Sequence, residues 1–587
     1  MTAEQTKIAE ESHVKAPWLN VYGVVPPHLD YPDCTMYEAV EHCAETYPNH
    51  TAYVFMGRKT TYRAMAAEID LCARALKATG VRPGDRITMA MPNCPQAVIM
   101  FYAINLVGAT ANMIHPLSSE KEIEFYLKES GSIFAVTLDQ FYHKFEAIRQ
   151  NVTLDNIILA SIPDALSKPV RVGYMLTEGR KQAKIPKDAP VLRWNEFLRR
   201  GRGYHWTYRA ERRAGDEAVI LYSGGTTGVT KGIQLTNLNF NALGKQIIAT
   251  NPMFRPGDKM LAVMPMFHGF GLGVSIHSML VSGGCCILVP RFTPDSYAKL
   301  LLKYRCNLIA GVPTLYEALL RLPKMKNADL SCLKGVYSGG DSLSVELKKR
   351  FDQFLFDHHA TIQVREGYGL TECVTASCLT PYHISREGSI GIPFPDTYYK
   401  IVEHGTQKEV PYGTEGEICL SGPTVMMGYL HHPEETAQTL QTHEDGLTWV
   451  HTGDLGYMDP DGFVYFRQRL KRMIVTSGYN VYPSQMENIL DAHELVQMSC
   501  VIGVPDPLKM QKVKAFVMLK PGVPANEETK AVLMAYIRKN VAKYALPYDI
   551  EFRAELPKTL VGKVAYRVLE EEEEAKLTAA ASQETNK

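Results

Sequence analysis

A chain of 587 residues is too long for one compact core, so more than one domain is expected. Lys plus Arg balances Asp plus Glu at 63 each, with 45% hydrophobic and 21% charged residues, so nothing global favours nucleic-acid binding. The opening "MTAEQTKIAEES" has neither a basic start nor an apolar stretch, so no secretory signal is read, and the 12 cysteines form no CxxC pair, which points to reduced thiols in the cytoplasm rather than disulfides or zinc.

After an N-terminal extension over 1–36, "TYRAMAAEIDLCARAL" places Tyr62, Met65, Ala66, Ile69, Cys72, Ala73 and Leu76 on one helical face. "GVRPGD" ends that helix and "RITMAMP" follows as a strand. Ala97 to Ile114 and Met260 to Pro290 carry no charge, but Asn105, Gly108 and Asn112 break the first, and Pro265, His268 and His277 break the second. Each is expected to be a buried helix leading into a buried strand, not a membrane span. The alternation continues through "NLIAGVP" and "LKGVYSGG", which predicts α/β layers around a mostly parallel sheet.

The run "AVILY" reads as a buried strand, and "SGGTTGVTKG" from Ser223 to Gly232 leaves it. Phosphate-binding loops belong at the carboxyl ends of such strands. Backbone N–H groups and hydroxyls of a glycine-rich segment cradle phosphate oxygens, and a lysine adds a point charge. A Walker A loop is excluded by spacing, because Lys231 lies between Thr230 and Gly232.

Beyond about residue 376 the texture changes to short strands: "TYYKIVE", "EGEICLSG" and "GFVYFRQR", the last preceded by the hairpin signal "DPDG" at Asp459 to Gly462. "RQRLKR" from Arg467 to Arg472 reads as a hinge. Past it, "MENILDAH" predicts a helix, "KAFVMLK" a strand and "ETKAVLMAYIRKNV" a helix. The expected architecture is α/β: a large N-terminal domain over 37–466 with layered α/β subdomains and a β-rich subdomain, a hinge over 467–472, and a small α+β domain over 473–570. The five consecutive glutamates near the end predict a solvated, frayed acidic tail over 571–587.

"SGGTTGVTKG", "YGLTE" (Tyr368 to Glu372), "HTGDLG" (His451 to Gly456) and "LPKTLVGKVAYR" (Leu556 to Arg567), with "GVRPGDRITMAMPN" and "GYNVYPSQME", occur in an order that resembles the adenylate-forming superfamily. Its members are acyl-CoA synthetases, luciferases and peptide-synthetase adenylation domains. The resemblance runs from about Tyr37 to Leu569. It implies attack of a carboxylate on the α-phosphate of ATP, then displacement of AMP by a thiol. Ser223, Gly224, Gly225, Thr226, Thr227 and Lys231 then match the phosphate loop, Glu372 the Mg²⁺ carboxylate, and Thr371 the α-phosphate donor. Gly367, Tyr368 and Gly369 on one side, and Gly339, Gly340 and Asp341 on the other, match the adenine walls. Asp454 and Arg469 match the ribose ligands, Lys471 the hinge lysine, and Lys563 the lysine that reaches the substrate carboxylate. The CoA region corresponds to Ser477, Gly478 and Tyr479.

Four positions depart from the family pattern. Thr230 replaces a usual proline, Val475 a usual lysine, Gln468 a usual glycine and Arg472 a usual acid. An aliphatic residue at Val475 points toward the long-chain fatty-acyl-CoA synthetase branch. In "MPMFHGFGL", His268 occupies the position where amino-acid-activating relatives place an aspartate, and a histidine supplies no fixed negative charge. The expected substrate is a medium- or long-chain fatty acid, with an aryl acid second; Gly269, Gly271 and Gly273 are expected to leave room beside Met264, Met266 and Phe267. Coenzyme A is the expected acceptor, with an acyl carrier protein as the alternative and a non-catalytic binding protein as a remote one. Between Lys168 and Arg213, 13 Lys or Arg face 4 Asp or Glu, with aromatics interleaved, which fits peripheral contact with an anionic bilayer as well as it fits a solvated loop. Oligomeric state is not legible.

Overall fold

The computed structural model describes residues 14–177, 179, 185–186, 188–222, 230–476, 479–506, 508–559 and 563–584. The side chains of Lys471, Asn480 and 578–584 are outside that description. The described residues form four sheets. Two are large: a nine-stranded sheet, whose neighbours from Thr51–Phe55 through Val364–Tyr368 are parallel, and an eight-stranded sheet parallel from Glu217–Tyr222 through Leu192–Arg193. Helix Pro95–Leu106 is buried on every face, as expected of a segment that is apolar all round. It leads into the buried strand Thr110–Met113. Tyr62–Ala78 turns Tyr62, Met65, Ile69, Cys72, Ala73 and Leu76 into the same core, while Ala66 lies at its margin.

The second uncharged stretch is more elaborate than a helix followed by a strand. Strand Lys259–Ala262 comes first, then a π-helix over Phe270–His277, a short helix over Ser278–Leu280 and strand Cys285–Leu288. Wide π turns are rare and concentrate at functional sites.

Strand Glu217–Tyr222 pairs antiparallel with Gly232–Thr236, Tyr222 opposite Gly232, so the glycine-rich segment joins two neighbouring strands at the sheet's rim. The β-rich portion follows: Tyr398–Val402, Gly416–Ser421, Thr448–Met458 and Val464–Arg469 pair in sequence around Trp449 and Ile418. The turn between the last two strands carries Gly462 at φ 89°, as "DPDG" predicts.

A separate C-terminal unit has its own sheet and core, with helices Pro483–Asp491 and Glu527–Asn540 packed on strands Val496–Asp506 and Met510–Leu519. The expectation of a frayed acidic tail is corrected. Residues Tyr566–Glu584 are helical and Leu569 is fully buried. Glu572 pairs with Arg553 at 2.7 Å, and Glu573, buried, pairs with Lys514 at 2.8 Å and Lys576 at 2.6 Å. The glutamate run docks because basic partners wait on the neighbouring strands. All 12 cysteines are free.

Candidate active site

The site gathers where strand ends of the large sheets, the β-rich portion and the C-terminal unit meet. Asp454 is placed by strand pairing, directly opposite Arg469. The backbone before it is wired in place: Gly453, at φ 68°, donates its N–H to Glu417 Oε1 at 2.9 Å, and Thr452 donates its hydroxyl to the Ile418 carbonyl at 2.7 Å. Asp454 is 1% exposed. Its Oδ2 accepts from the Tyr368 hydroxyl at 2.6 Å, and Oδ1 lies 3.1 Å from Arg469 Nε without a well-aligned hydrogen bond. Burial raises the Asp454 pKa against the pull of Arg469, and the Asp454 charge raises that of Arg469. The buried, under-satisfied Oδ1 is the kind of acceptor a ribose hydroxyl completes.

Tyr368 and Gly367 belong to strand Val364–Tyr368, and Thr371 and Glu372 to the single turn Thr371–Cys373 that follows. At Gly369 a Cβ would stand 2.3 Å from the Thr375 carbonyl oxygen, so only glycine fits. Val374 then adopts φ 66° and ψ −56°, with the Thr375 N–H donating to the Cys373 carbonyl at 2.8 Å. That is a γ-turn of the strained positive-φ kind on a β-branched residue, a conformation that costs on the order of 1–3 kcal/mol. Glu372 Oε1 accepts from the Tyr429 hydroxyl at 2.8 Å. Lys231 pairs with Glu435 at 3.2 Å and lies 5.1 Å from the Tyr429 ring centre.

His268 sits at the N-terminal side of the π-helix. The Phe270 N–H donates to its Nδ1 at 3.1 Å, so a neutral His268 carries its proton on Nε2. Burial first, then the Lys563 charge, push its pKa down to about 3, which keeps it neutral and an N–H donor near pH 7. Asn93 braces this segment: its amide donates to the Ala262 and Met264 carbonyls, and its Oδ1 accepts from the Met266 N–H at 2.8 Å. Met266 is buried, and Phe267 packs 4.2 Å from His115.

The expectation that glycines leave room here is corrected. A Cβ at Gly269 would lie 1.8 Å from the Val374 carbonyl oxygen, and one at Gly271 would lie 2.1 Å from that of Pro265. These glycines allow backbone to touch backbone, and the space is already filled.

Lys563 arrives from the C-terminal unit. A Cβ at Gly340 would be 3.3 Å from Lys563 Cε. Its pKa is lowered by burial, opposed by Asp341 and Asp454 and reinforced by Arg469. One lysine thus stands among the residues read as adenine wall, ribose ligand and acid-binding segment. Gln468 Oε1 accepts from the Ser484 hydroxyl at 2.6 Å, and Arg472 pairs with Glu487 and covers the Tyr566 ring. Both departures from the family pattern around the expected hinge are therefore paired with the C-terminal unit. Gly339 and Gly340 follow strand Gly335–Ser338, with Gly340 at φ 82°. Tyr479 is 56% exposed and stacks on Tyr544. Ser223, Gly224, Gly225, Thr226, Thr227, Ser477 and Gly478 lie outside the described residues, as does the Lys471 side chain. Asn93, Glu417 and Tyr429 are not among the sequence-predicted site residues; Asn93 closes the motif "GVRPGDRITMAMPN" without being distinguished within it, and Glu417 and Tyr429 lie in no quoted site motif.

The AMP-binding enzyme model matches residues 40–430, and the model of the AMP-binding enzyme C-terminal domain matches residues 485–563. The chain belongs to the AMP-binding enzyme family. Among curated AMP-binding enzymes it is 36% identical to a long-chain-fatty-acid–CoA ligase of Bacillus subtilis, over 95% of this chain and 98% of that one. It is 33% identical to the same-named enzyme of Salmonella typhimurium, over 96% and 99%. Among solved structures, the anthranilate CoA ligase AuaEII in complex with anthranoyl-AMP superposes with a TM-score of 0.80 at 26% identity, covering 94% of this chain and 99% of that one. ATP-bound MatB from Rhodopseudomonas palustris gives 0.79 at 25%, covering 92% and 99%.

Proposed function

We propose that this AMP-binding enzyme activates a long-chain fatty acid with ATP and transfers the acyl group to coenzyme A, releasing AMP and diphosphate. The observation that carries the reading is near-full-length similarity, above 30% identity, to ligases of that name from distant bacteria. The aryl-acid alternative has structural likeness at 26% identity behind it and is not adopted.

In this reading Tyr368 lies against adenine between Gly367, Gly369 and the Gly339–Asp341 segment, and Asp454 and Arg469 hold the ribose. Lys231, Thr226 and Thr227 receive the outer phosphates, and Thr371 the α-phosphate. Neutral His268 donates Nε2–H to the substrate carboxylate beside Met266 and Phe267. Lys563 neutralises charge where the attacking and bridging oxygens crowd together. Residues 467–472 form the hinge, and Ser477 to Tyr479 lie toward CoA. Glu372 suits Mg²⁺: it is a hard oxygen donor with Oε2 free of the Tyr429 bond, and among the described residues no group of three or more His, Cys, Asp or Glu gathers. Mg²⁺ takes one or two carboxylates together with substrate phosphates and water, so such a sparse donor set fits an ion carried in with ATP.

No helix among the described residues is long and apolar enough to cross a membrane. Peripheral contact is part of the proposal and narrows to helix Lys168–Leu176. That helix buries no residue and exposes Val172, Met175 and Leu176 near Lys168 and Arg171. Farther along, Arg209 is spent on Glu41 and Arg212 on the Gly108 carbonyl.

The test supplies the protein with ATP, Mg²⁺, CoA and a panel of straight-chain acids of rising length plus benzoate and cinnamate, and detects products by mass spectrometry. Long-chain acyl-CoA with AMP is expected. AMP without thioester would instead identify a carrier-protein ligase, and absence of nucleotide turnover would defeat the reading.

A further inference from the structure

Tyr429 has no part in the assignments above, yet it touches two of the charged groups they depend on. Strand Gly428–Tyr429 is two residues long and docks on Gly232–Thr236, the strand that leaves the glycine-rich segment, with Tyr429 opposite Ile233. Its place is pinned from both sides. Met427 donates its N–H to the Gln234 carbonyl at 2.9 Å, and Leu430 donates to the Gly232 carbonyl at 2.8 Å. The Tyr429 N–H itself donates to Thr436 Oγ1 at 2.9 Å. The ring is therefore located by backbone pairing before any ligand arrives.

From that place the phenol donates to Glu372 Oε1 at 2.8 Å, and the ring centre lies 5.1 Å from Lys231 Nζ. Nearby, Met426 donates its N–H to the Glu372 carbonyl at 2.8 Å, so backbone and side chain of Glu372 are held from one segment. A phenol is protonated at neutral pH, so the hydroxyl acts as the donor to Glu372. With Oε1 engaged, the carboxylate is fixed in rotation and presents Oε2. An aromatic face attracts an ammonium group while leaving its N–H donors free for another anion. Glu435 holds Lys231 at 3.2 Å and competes with any incoming phosphate; the ring does not.

We infer that Tyr429 is a positioning residue that sets the spacing between Glu372 and Lys231 for a divalent cation carried on nucleotide phosphates. The inference rests on the roles given to Glu372 and Lys231 in the proposed function.

Tyr429→Phe keeps the ring and removes the hydrogen bond. Calorimetric titration of the full-length protein with ATP over a series of Mg²⁺ concentrations, without fatty acid, measures the effect directly. The expected result is a roughly tenfold higher Mg²⁺ requirement for ATP binding, the scale on which partners of metal ligands act. AMP binding, measured in the same way, is expected to stay at the parent value, because AMP lacks the outer phosphates. Glu372→Gln is run alongside. If it leaves the Mg²⁺ requirement unchanged, the reading of Glu372 fails and the inference falls with it. If Glu372→Gln responds while Tyr429→Phe behaves as the parent, the positioning role alone is overturned. Equal losses of AMP and Mg·ATP binding in Tyr429→Phe also overturn it, since a purely structural side chain would weaken both.

Discussion

In the proposed function, the described residues at the ribose end and at the phosphate end of the nucleotide site are held to different tolerances. At the ribose end, the Asp454 side chain is 1% exposed and is met by Tyr368 from within and by Arg469, itself 45% exposed, from the rim. Its position comes from strand pairing, so the geometry exists before ligand binds. At the phosphate end, Lys231 and Glu435 are 28% and 36% exposed and neutralise one another near the surface. Buried charge pairs lose heavily when one partner is removed, whereas exposed pairs lose little. In the proposed function the ribose end therefore sets where the nucleotide sits, and Lys231, at the phosphate end, is free to exchange Glu435 for what the nucleotide carries.

The largest break spans both ends. Lys563→Ala removes the cation that reaches between them and is expected to lower adenylation by roughly two to three orders of magnitude, as for loss of one transition-state donor. Pyrophosphate release reads the first step. Chemically made acyl-adenylate plus CoA reads the second, where thioester formation should stay near wild type; equal loss in both would remove Lys563 from its role.

Asp454→Ala attacks the ribose end alone. The ribose hydroxyls lose a buried, charged acceptor, so the loss is on the order of 3 kcal/mol, roughly a hundredfold weaker AMP binding by calorimetry. Wild-type affinity in this variant would refute the claim that the ribose end is pre-set.

A pH experiment probes the packing behind the acid-binding segment. His277 is fully buried between Tyr102 and Asn241, with hydrogen bonds of 3.0 Å to each, and burial lowers its pKa from 6.5 to about 3. The unfolded chain thus takes up the proton at a higher pH than the folded one. Stability from keeping His277 neutral is complete above pH 6.5 and drains as pH falls toward 3, by on the order of 5 kcal/mol in all. The Tm of wild type should fall more steeply over that window than that of His277→Gln, and parallel curves would assign the acid sensitivity elsewhere.

The smallest effect tests the phosphate end. Glu435→Gln releases Lys231 from an exposed ion pair, so half-saturation by ATP should fall by less than about threefold, measured by pyrophosphate exchange. A change as large as that of Asp454→Ala would erase the contrast between the two ends.

Much of this layout was legible in the sequence because it is local. "AVILY" announces a strand, "DPDG" a turn, and the ordered motifs place Glu372, Asp454 and Lys563. What stayed hidden depends on partners distant along the chain. The glutamate run gives no sign that Arg553 and Lys514 will neutralise it. Gln468 looks like a lost glycine until Ser484 folds against it. Gly269 and Gly271 advertise space, and only the fold shows that the backbone of Val374 and Pro265 occupies it. Tyr429 is an ordinary aromatic in sequence, and its importance comes from a two-residue strand.

The lowered pKa of Lys563 has one more consequence. Its charge is desolvated in this placement, and among the described residues Asp341 and Asp454 oppose that loss. In the proposed function the phosphates of ATP would add counter-charge beside it. In the proposed function, nucleotide binding and the seating of Lys563 would therefore favour one another, each by no more than its preference for the arrangement that holds both.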